Sequence, residues 1–351
     1  MSRTAVSRVL ARTGAFSFLL RARSHAPRPP WVTVLTYHRI GDPAQAEAFD
    51  AGVVDARPEA LDRQVAFLKR RCNVIALDDL RAFRSGGTLP PNPVLLTFDD
   101  GYRDNHDIAL PILQRHGVSA VFFIATSYIE QRRLFWWDRV AYLLKRSSRE
   151  VLDLEYPRKR SIPLGASKEE RARALKRTMS IIKAHHGLDL ERFLDEVEAK
   201  SGASLARSDE RAMVDELLMT WDEVRAMRRG GMSVQSHTRT HRVLHTLSDA
   251  DLKTELEGSR AELEAVLNEP VYAIAYPVGR SLDTAPHVRT ALRAAGYDLA
   301  FSNGSGVNLA WKFDAVDVKR MSMEADMADT LFQGLLALPN LAYELRAAPE
   351  T

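Results

Sequence analysis

Eight short apolar runs recur along this 351-residue chain, at 31–37, 73–77, 94–98, 119–124, 231–235, 271–276, 298–302 and 315–320, with helix-patterned stretches between them. Runs of this length and composition read as buried parallel strands. Strands that alternate with helices make a parallel sheet with its helices outside, and seven or eight such units predict a closed, distorted (β/α) barrel of parallel strands. Many of the runs end in polar groups: Tyr37 and His38, Asp99 and Asp100, Ser236 and His237, Tyr276, Ser302 and Asn303. In a barrel these ends share one rim, so side chains far apart in sequence meet there.

One connection is too long for a single crossover helix. About a hundred residues separate the run at 119–124 from that at 231–235, and they include "RRLFWWDRVAYLLKR" and charged helical stretches from 168 to 199. The spacing predicts a helical insertion over about 128–225, anchored by Trp136, Trp137, Tyr142 and Leu143, because aromatics at helical spacing usually form core. The expected division is a basic extension at 1–30, a barrel at 31–325, and a C-terminal helix and tail at 326–351.

Composition is that of an ordinary globular chain, with 45% hydrophobic and 27% charged residues. A single cysteine, Cys72, excludes an internal disulfide and is consistent with a reducing compartment, which makes the cytoplasm the expected location. No apolar run approaches the roughly 20 residues that span a bilayer. The net charge of +3 is unevenly placed: residues 1–30 hold Arg3, Arg8, Arg12, Arg21, Arg23 and Arg28 with no acid, so the body is close to neutral. That body shows no basic stripe interleaved with aromatics, which argues against nucleic acid as a partner. In the tail, Val6, Val9, Leu10, Phe16 and Leu20 fall on one helical face. Its apolar centre, "AFSFLL", is shorter than a secretory signal needs. Three readings stay open: peripheral membrane contact through residues 1–25, an extension that packs on the barrel or is disordered, and a transit peptide.

Chemistry concentrates at two strand ends. "VLLTFDDGYRDN" carries an apolar run straight into Asp99 and Asp100, two like charges for which a cation is the natural partner. "MSVQSHTRTHRVLHTLS" carries another into His237 and His241. Two histidines four apart project from the same side of a helical turn, and with one carboxylate they make a metal set that leaves positions open for water and substrate. His245 repeats the spacing and reads as a surface or supporting residue.

These residues resemble the polysaccharide deacetylases, the nodulation-type chitooligosaccharide deacetylase domain of carbohydrate esterase family four. "TFDDGY" at 97–102 and "SHTRTH" at 236–241 are similar to the family's first two motifs, "LTYHRI" at 35–40 to an opening strand, and "AYPVG" at 275–279 to the third motif, Arg-x-Pro-Tyr-Gly. The resemblance covers about residues 31–325. It implies that Asp99 is the general base, that Asp100, His237 and His241 hold one divalent metal ion, with zinc the first choice, and that the backbone amide of Val278 helps hold the oxyanion. The implied substrate is an acetylated glycan, and the implied reaction is hydrolysis of an N-acetyl, or in second place an O-acetyl, group on a polysaccharide, oligosaccharide or lipid-linked sugar. His38, Tyr102 and Tyr276 are further candidates for contact with substrate or oxyanion. The chain departs from the pattern at Ala275, where the family has an arginine, and at Val278, where it has a tyrosine. Arg280 or Arg320 could supply the missing charge. No match to the family's last motif, which supplies the general acid, follows near the C-terminus; His287 lies in a helical stretch, and His38, at a strand end, is the better candidate for a polar role. The insertion could serve as a lid whose tryptophans stack on sugar. The rival reading is a catalytically silent carbohydrate-binding homologue.

Overall fold

Seven parallel strands pair in an unbroken ring: β1 (Trp31–Tyr37), β2 (Pro93–Phe98), β3 (Val121–Ile124), β4 (Ser233–Ser236), β5 (Ala273–Ala275), β6 (Leu299–Ser305) and β7 (Val318–Ser322). The seam is β7 against β1, where Leu35 lies opposite Met321 and Thr36 opposite Ser322. This computed structural model describes residues 14–26, 29–45, 48–279, 282 and 285–339. The run at 73–77 does not join the ring. It yields only the two-residue strand Asn73–Val74, alongside Pro93 and Val94. From Leu77 the chain is helical (Leu77–Arg84), since Asp78 and Asp79 occupy a first turn that favours acids, and Asp79 accepts a 2.8 Å hydrogen bond from the Ala76 N–H.

Strand side chains alternate between two cores. Val32, Val34, Leu95, Val121, Phe123 and Phe301 belong to the core inside the ring, while Leu35, Leu96, Phe98, Phe122, Ile124 and Ile274 pack outward against the helices. Each such burial stabilises the fold by roughly 1.5–3 kcal/mol. The alternation decides where polar residues at the strand ends point.

Between β3 and β4, the helices Trp136–Arg146, Lys168–Ala184, Leu190–Ser201 and Arg207–Leu217 and the hairpin Val151–Leu154 with Arg160–Pro163 enclose a separate core. Phe135, Trp136, Trp137, Leu143, Phe193 and Val214 are among its members. Tyr102, from the loop after β2, is buried in that same core and ties the insertion to the barrel rim.

At the opposite end of the ring the helix Ala15–Arg23 buries Phe16 and Leu20. Arg23 fixes it there: its Nη2 donates to the Leu336 carbonyl at 2.9 Å, and its guanidinium lies 4.2 Å from the centre of the Trp31 ring. Residues 1–13 of the predicted apolar face lie outside the described residues. Among the described residues no helix is long and apolar enough to cross a membrane.

Candidate active site

Strand alternation sends Thr97 and Asp99 into the barrel and Phe98 outward. The backbone then turns over, with Asp100 at φ 80° and Gly101 at φ 105°. A side chain at Gly101 would be strained by that angle, and a Cβ there would meet Ile124 and Ile129 at 3.3 Å. Adjacent carboxylates are thereby sent to different places. Asp99 enters the barrel and Asp100 faces the rim.

Asp99 meets Arg320 of β7. Nη1 and Nη2 of the guanidinium donate to Oδ1 and Oδ2, each at 2.8 Å, and both side chains are fully buried. Arg320 is held in turn by the Ser302 carbonyl at 2.9 Å and by Asn303 Oδ1 at 2.8 Å. Burial alone would raise the Asp99 pKa, but the guanidinium, followed by His237 and His38, holds it below the ordinary carboxylate value. Arg320, one of the two arginines expected to supply positive charge, is at the carboxylate; Arg280 lies outside the described residues.

Asp100 Oδ1 lies 3.3 Å from His237 Nε2 and 3.4 Å from His241 Nε2. It is buried without a hydrogen-bond partner among the described residues. These three side chains present one ligand atom each within 4.8 Å of one another. His237 Nδ1 lies 2.6 Å from the Ala275 carbonyl, so it carries the proton and leaves the Nε2 lone pair facing Asp100. Burial pushes His241 down to about 4, which keeps its imidazole neutral near pH 7. Burial opposes the charge on Asp100, yet the two imidazoles beside it hold its pKa well below the ordinary range. A buried carboxylate oxygen with no hydrogen-bond partner among the described residues, facing two imidazole nitrogens, fits a divalent cation and is costly without one.

The histidines do not sit on a helical turn, as their spacing had predicted. Residues 237–241 form a loop with Thr238 at φ 65° and His241 at φ 52°. Glu255 anchors it, accepting from the Arg239 and Thr240 N–H groups at 2.9 Å each, and Trp136 Nε1 donates to the His241 carbonyl at 3.2 Å. His245 is exposed and takes no part.

His38, at the end of β1, places Nε2 4.0 Å from Asp99 Oδ2. Its Nδ1 is 2.7 Å from Asp55, which also accepts the His38 N–H at 2.6 Å. Burial disfavours the imidazolium, but Asp55, with Asp100 and Asp99 behind it, outweighs that and raises its pKa to about 10. Asp55 was not foreseen. It arrives on the three-residue strand Val54–Ala56, paired with Arg39–Ile40, and no motif marks it.

A cavity of about 170 Å³ opens over these groups, with His38, Asp100, His237, His241, Val278 and Asn303 in its barrel-side wall. Val278 sits at φ 52° in the turn after β5. The remaining wall comes from Asp50 and Val53 and, on the insertion, Trp136, Trp137, Met179 and Lys183. The tryptophans are packed as expected, at 2% and 5% exposure, and they also border the site: the Trp137 ring lies 4.3 Å from that of His241. Asp50 and Lys183 were likewise missed, because a long connection gives no register to the barrel rim.

Two expected contacts are not made. Tyr276 points outward from β5, and its hydroxyl lies 2.9 Å from Asp317 rather than at the cavity. Tyr102 lies in the insertion core, where its hydroxyl donates to Asp138 at 2.9 Å and accepts from Trp137 Nε1 at 2.8 Å. Both tyrosines support walls of the site and neither lines it.

The sequence pattern of the polysaccharide deacetylase family matches residues 86–300, more than half of the chain. Poly-β-1,6-N-acetyl-D-glucosamine N-deacetylase of Escherichia coli strain K12 is 31% identical over 133 residues, 36% of this chain and 18% of that protein. The match thus spans less than a fifth of the relative's length. Among solved structures, the Streptococcus pyogenes deacetylase PplD in complex with acetate superposes with a TM-score of 0.55 at 20% identity, over 87% of this chain and 98% of that one. IcaB from Ammonifex degensii gives 0.52 at 15% identity, over 91% and 99%. These are likenesses of fold.

Proposed function

The chain belongs to the polysaccharide deacetylase family, and from that premise we propose that it is a metal-dependent hydrolase that removes N-acetyl groups from an amino-sugar polymer or a lipid-linked glycan. The observation that carries this reading is Asp99, a buried carboxylate kept ionised by Arg320 and lying 3.8 Å from a ligand imidazole, at His237 Nε2. A purely structural metal site has no need of it. The E. coli relative's named substrate, an N-acetylglucosamine polymer, supports N- over O-deacetylation.

Asp100, His237 and His241 would hold the cation, with zinc the natural occupant of two imidazoles and a carboxylate. When bound, it would supply Lewis acidity, making water more acidic and the acetyl carbonyl more electrophilic. Asp99 keeps lone pairs free beside its two bonds to Arg320 and takes the proton of the attacking water. The Val278 backbone amide, in the cavity wall, stabilises the developing oxyanion. His38, protonated and oriented by Asp55, donates a proton to the departing sugar amine, and acetate leaves. This assigns the general-acid step to the opening strand in place of the absent C-terminal motif.

Acetate release across N-acetylglucosamine oligomers, peptidoglycan fragments and lipid-linked acetylated sugars tests the reading. Metal-dependent release from at least one class, lost in Asp99→Asn, is the expected result. Glycan binding without release by the metal-loaded protein would instead identify a silent homologue.

A further inference from the structure

We propose that the outward face of the helix Ala15–Arg23, with the last turn of the helix Pro58–Arg71, is a docking surface for an anionic lipid bilayer. The helix Ala15–Arg23 spends Phe16 and Leu20 on packing, yet it also carries Phe18, 71% exposed, and Leu19, 36% exposed. Phe18 and Arg21 are one turn apart, so the aromatic ring and a cation share the solvent face. Phe18 and Leu19 adjoin, so the apolar exposure here is a small patch and not a single side chain.

The charge beside it has one sign. Asn92 Nδ2 donates to the Leu20 carbonyl at 2.8 Å and to the Arg71 carbonyl at 3.4 Å, which brings the C-terminal turns of the two helices together. Arg21, Arg70 and Arg71 are all exposed there, and none of them makes an ion pair among the described residues. Exposed apolar groups flanked by unpaired arginines match the interfacial region of an anionic bilayer, where the ring enters the acyl boundary and the guanidinium groups meet phosphate. A protein partner would need a complementary acidic pocket, whereas a lipid surface supplies charge at any orientation.

Geometry adds a consequence. Asn92 precedes β2 and Trp31 begins β1, so this surface lies at the N-terminal end of the barrel strands, opposite the rim that carries Asp99 and His237. Docking there leaves the cavity mouth facing away from the lipid.

The test is co-sedimentation of the full chain with phosphatidylcholine vesicles, with and without phosphatidylglycerol. Binding is expected only to the anionic vesicles and is expected to fall at high salt. Phe18→Ser should weaken it several-fold, and Arg70→Gln with Arg71→Gln by about tenfold or more. All variants should keep wild-type hydrolysis of a soluble substrate, or wild-type metal content if the chain has no hydrolytic activity, because none is near the cavity. A full chain that stays in the supernatant, a Phe18→Ser variant that binds as the wild type does, or retention on heparin without vesicle binding would each overturn the proposal.

Discussion

At the scale of single residues, Arg320 is the largest charge opposing burial of Asp99 among the described residues. Replacing Arg320 by Met removes both hydrogen bonds to Asp99 and the largest charge opposing burial there, leaving only His237 and His38, so the Asp99 pKa rises. The acid limb of the pH–rate profile should then move to higher pH while metal content stays at wild-type level, because Arg320 touches no ligand. An unchanged profile would show that Arg320 does not set the base. Asp100→Ala or His237→Ala should instead abolish bound metal and acetate release together, whereas Asp99→Asn should retain metal and lose a hundredfold or more of the rate. Full metal occupancy in His237→Ala would sink the ligand assignment. Much of this was legible in the chain: motif residues Asp99, Asp100, His237 and His241 converge as their strand-end positions imply. Tyr276 was misplaced because residue type was weighed over register. With Ala273 and Ala275 facing inward, alternation turns Tyr276 out. The same alternation, applied to Val318 and Arg320, favours Arg320 as the inward arginine.

At the scale of elements, the joint between barrel and insertion carries a titration. Burial pushes the Asp138 carboxyl up to about 7, against the pull of Arg39 and the Tyr102 hydroxyl. Unfolded, it releases its proton near the ordinary value of about 4, so between about pH 4 and pH 7 the folded state binds more protons. Stability from this group is therefore complete below about pH 4 and is lost as the pH rises through 7. Unfolding free energies from urea titrations at pH 5 to pH 8 should fall by an amount on the order of a few kcal/mol, and Asp138→Asn should flatten that slope. An identical slope in the variant would remove Asp138 as the cause. Trp137, stacked on Phe135 and beside His241, should cost roughly 3–5 kcal/mol when replaced by Ala and should loosen metal binding with it. Wild-type metal affinity in that variant would show that the insertion does not brace the ligand. The insertion's existence was readable from length and aromatic spacing, but its place at the cavity was not: hydrophobic periodicity tells which face is buried, and says nothing of what buries it. The histidine loop misled for a related reason. A spacing of four fits a helical turn, and two left-handed residues reach the same juxtaposition in a loop.

At the scale of the whole molecule, a cation held by Asp100, His237 and His241 would link site to fold. Asp100 Oδ1 gains a partner when metal binds the native state, so saturating zinc should raise the melting temperature by several degrees relative to the chelated protein, following the usual mass-action linkage. Asp100→Ala should show no such difference, and equal melting of the wild type with and without chelator would argue against the site. The closed ring itself was foreseen from the recurrence of apolar runs, which bounded the strand number at seven or eight without choosing. The choice falls on seven because Asp78 and Asp79 start a helix where an eighth strand would have to continue.

Asp99 and Arg320 stand 221 positions apart. During synthesis, a growing chain therefore carries the carboxylate long before it carries the guanidinium, and everything from β3 to β6 is made in the interval. Arg320 arrives only on β7, the strand that seats between β6 and β1 and removes the last open edges. Completion of the ring and arrival of the counter-charge are thus one event. Copies halted short of that strand would lack the guanidinium that pairs with Asp99, so the order in which the residues are made delays completion of the candidate site to the closing of the ring.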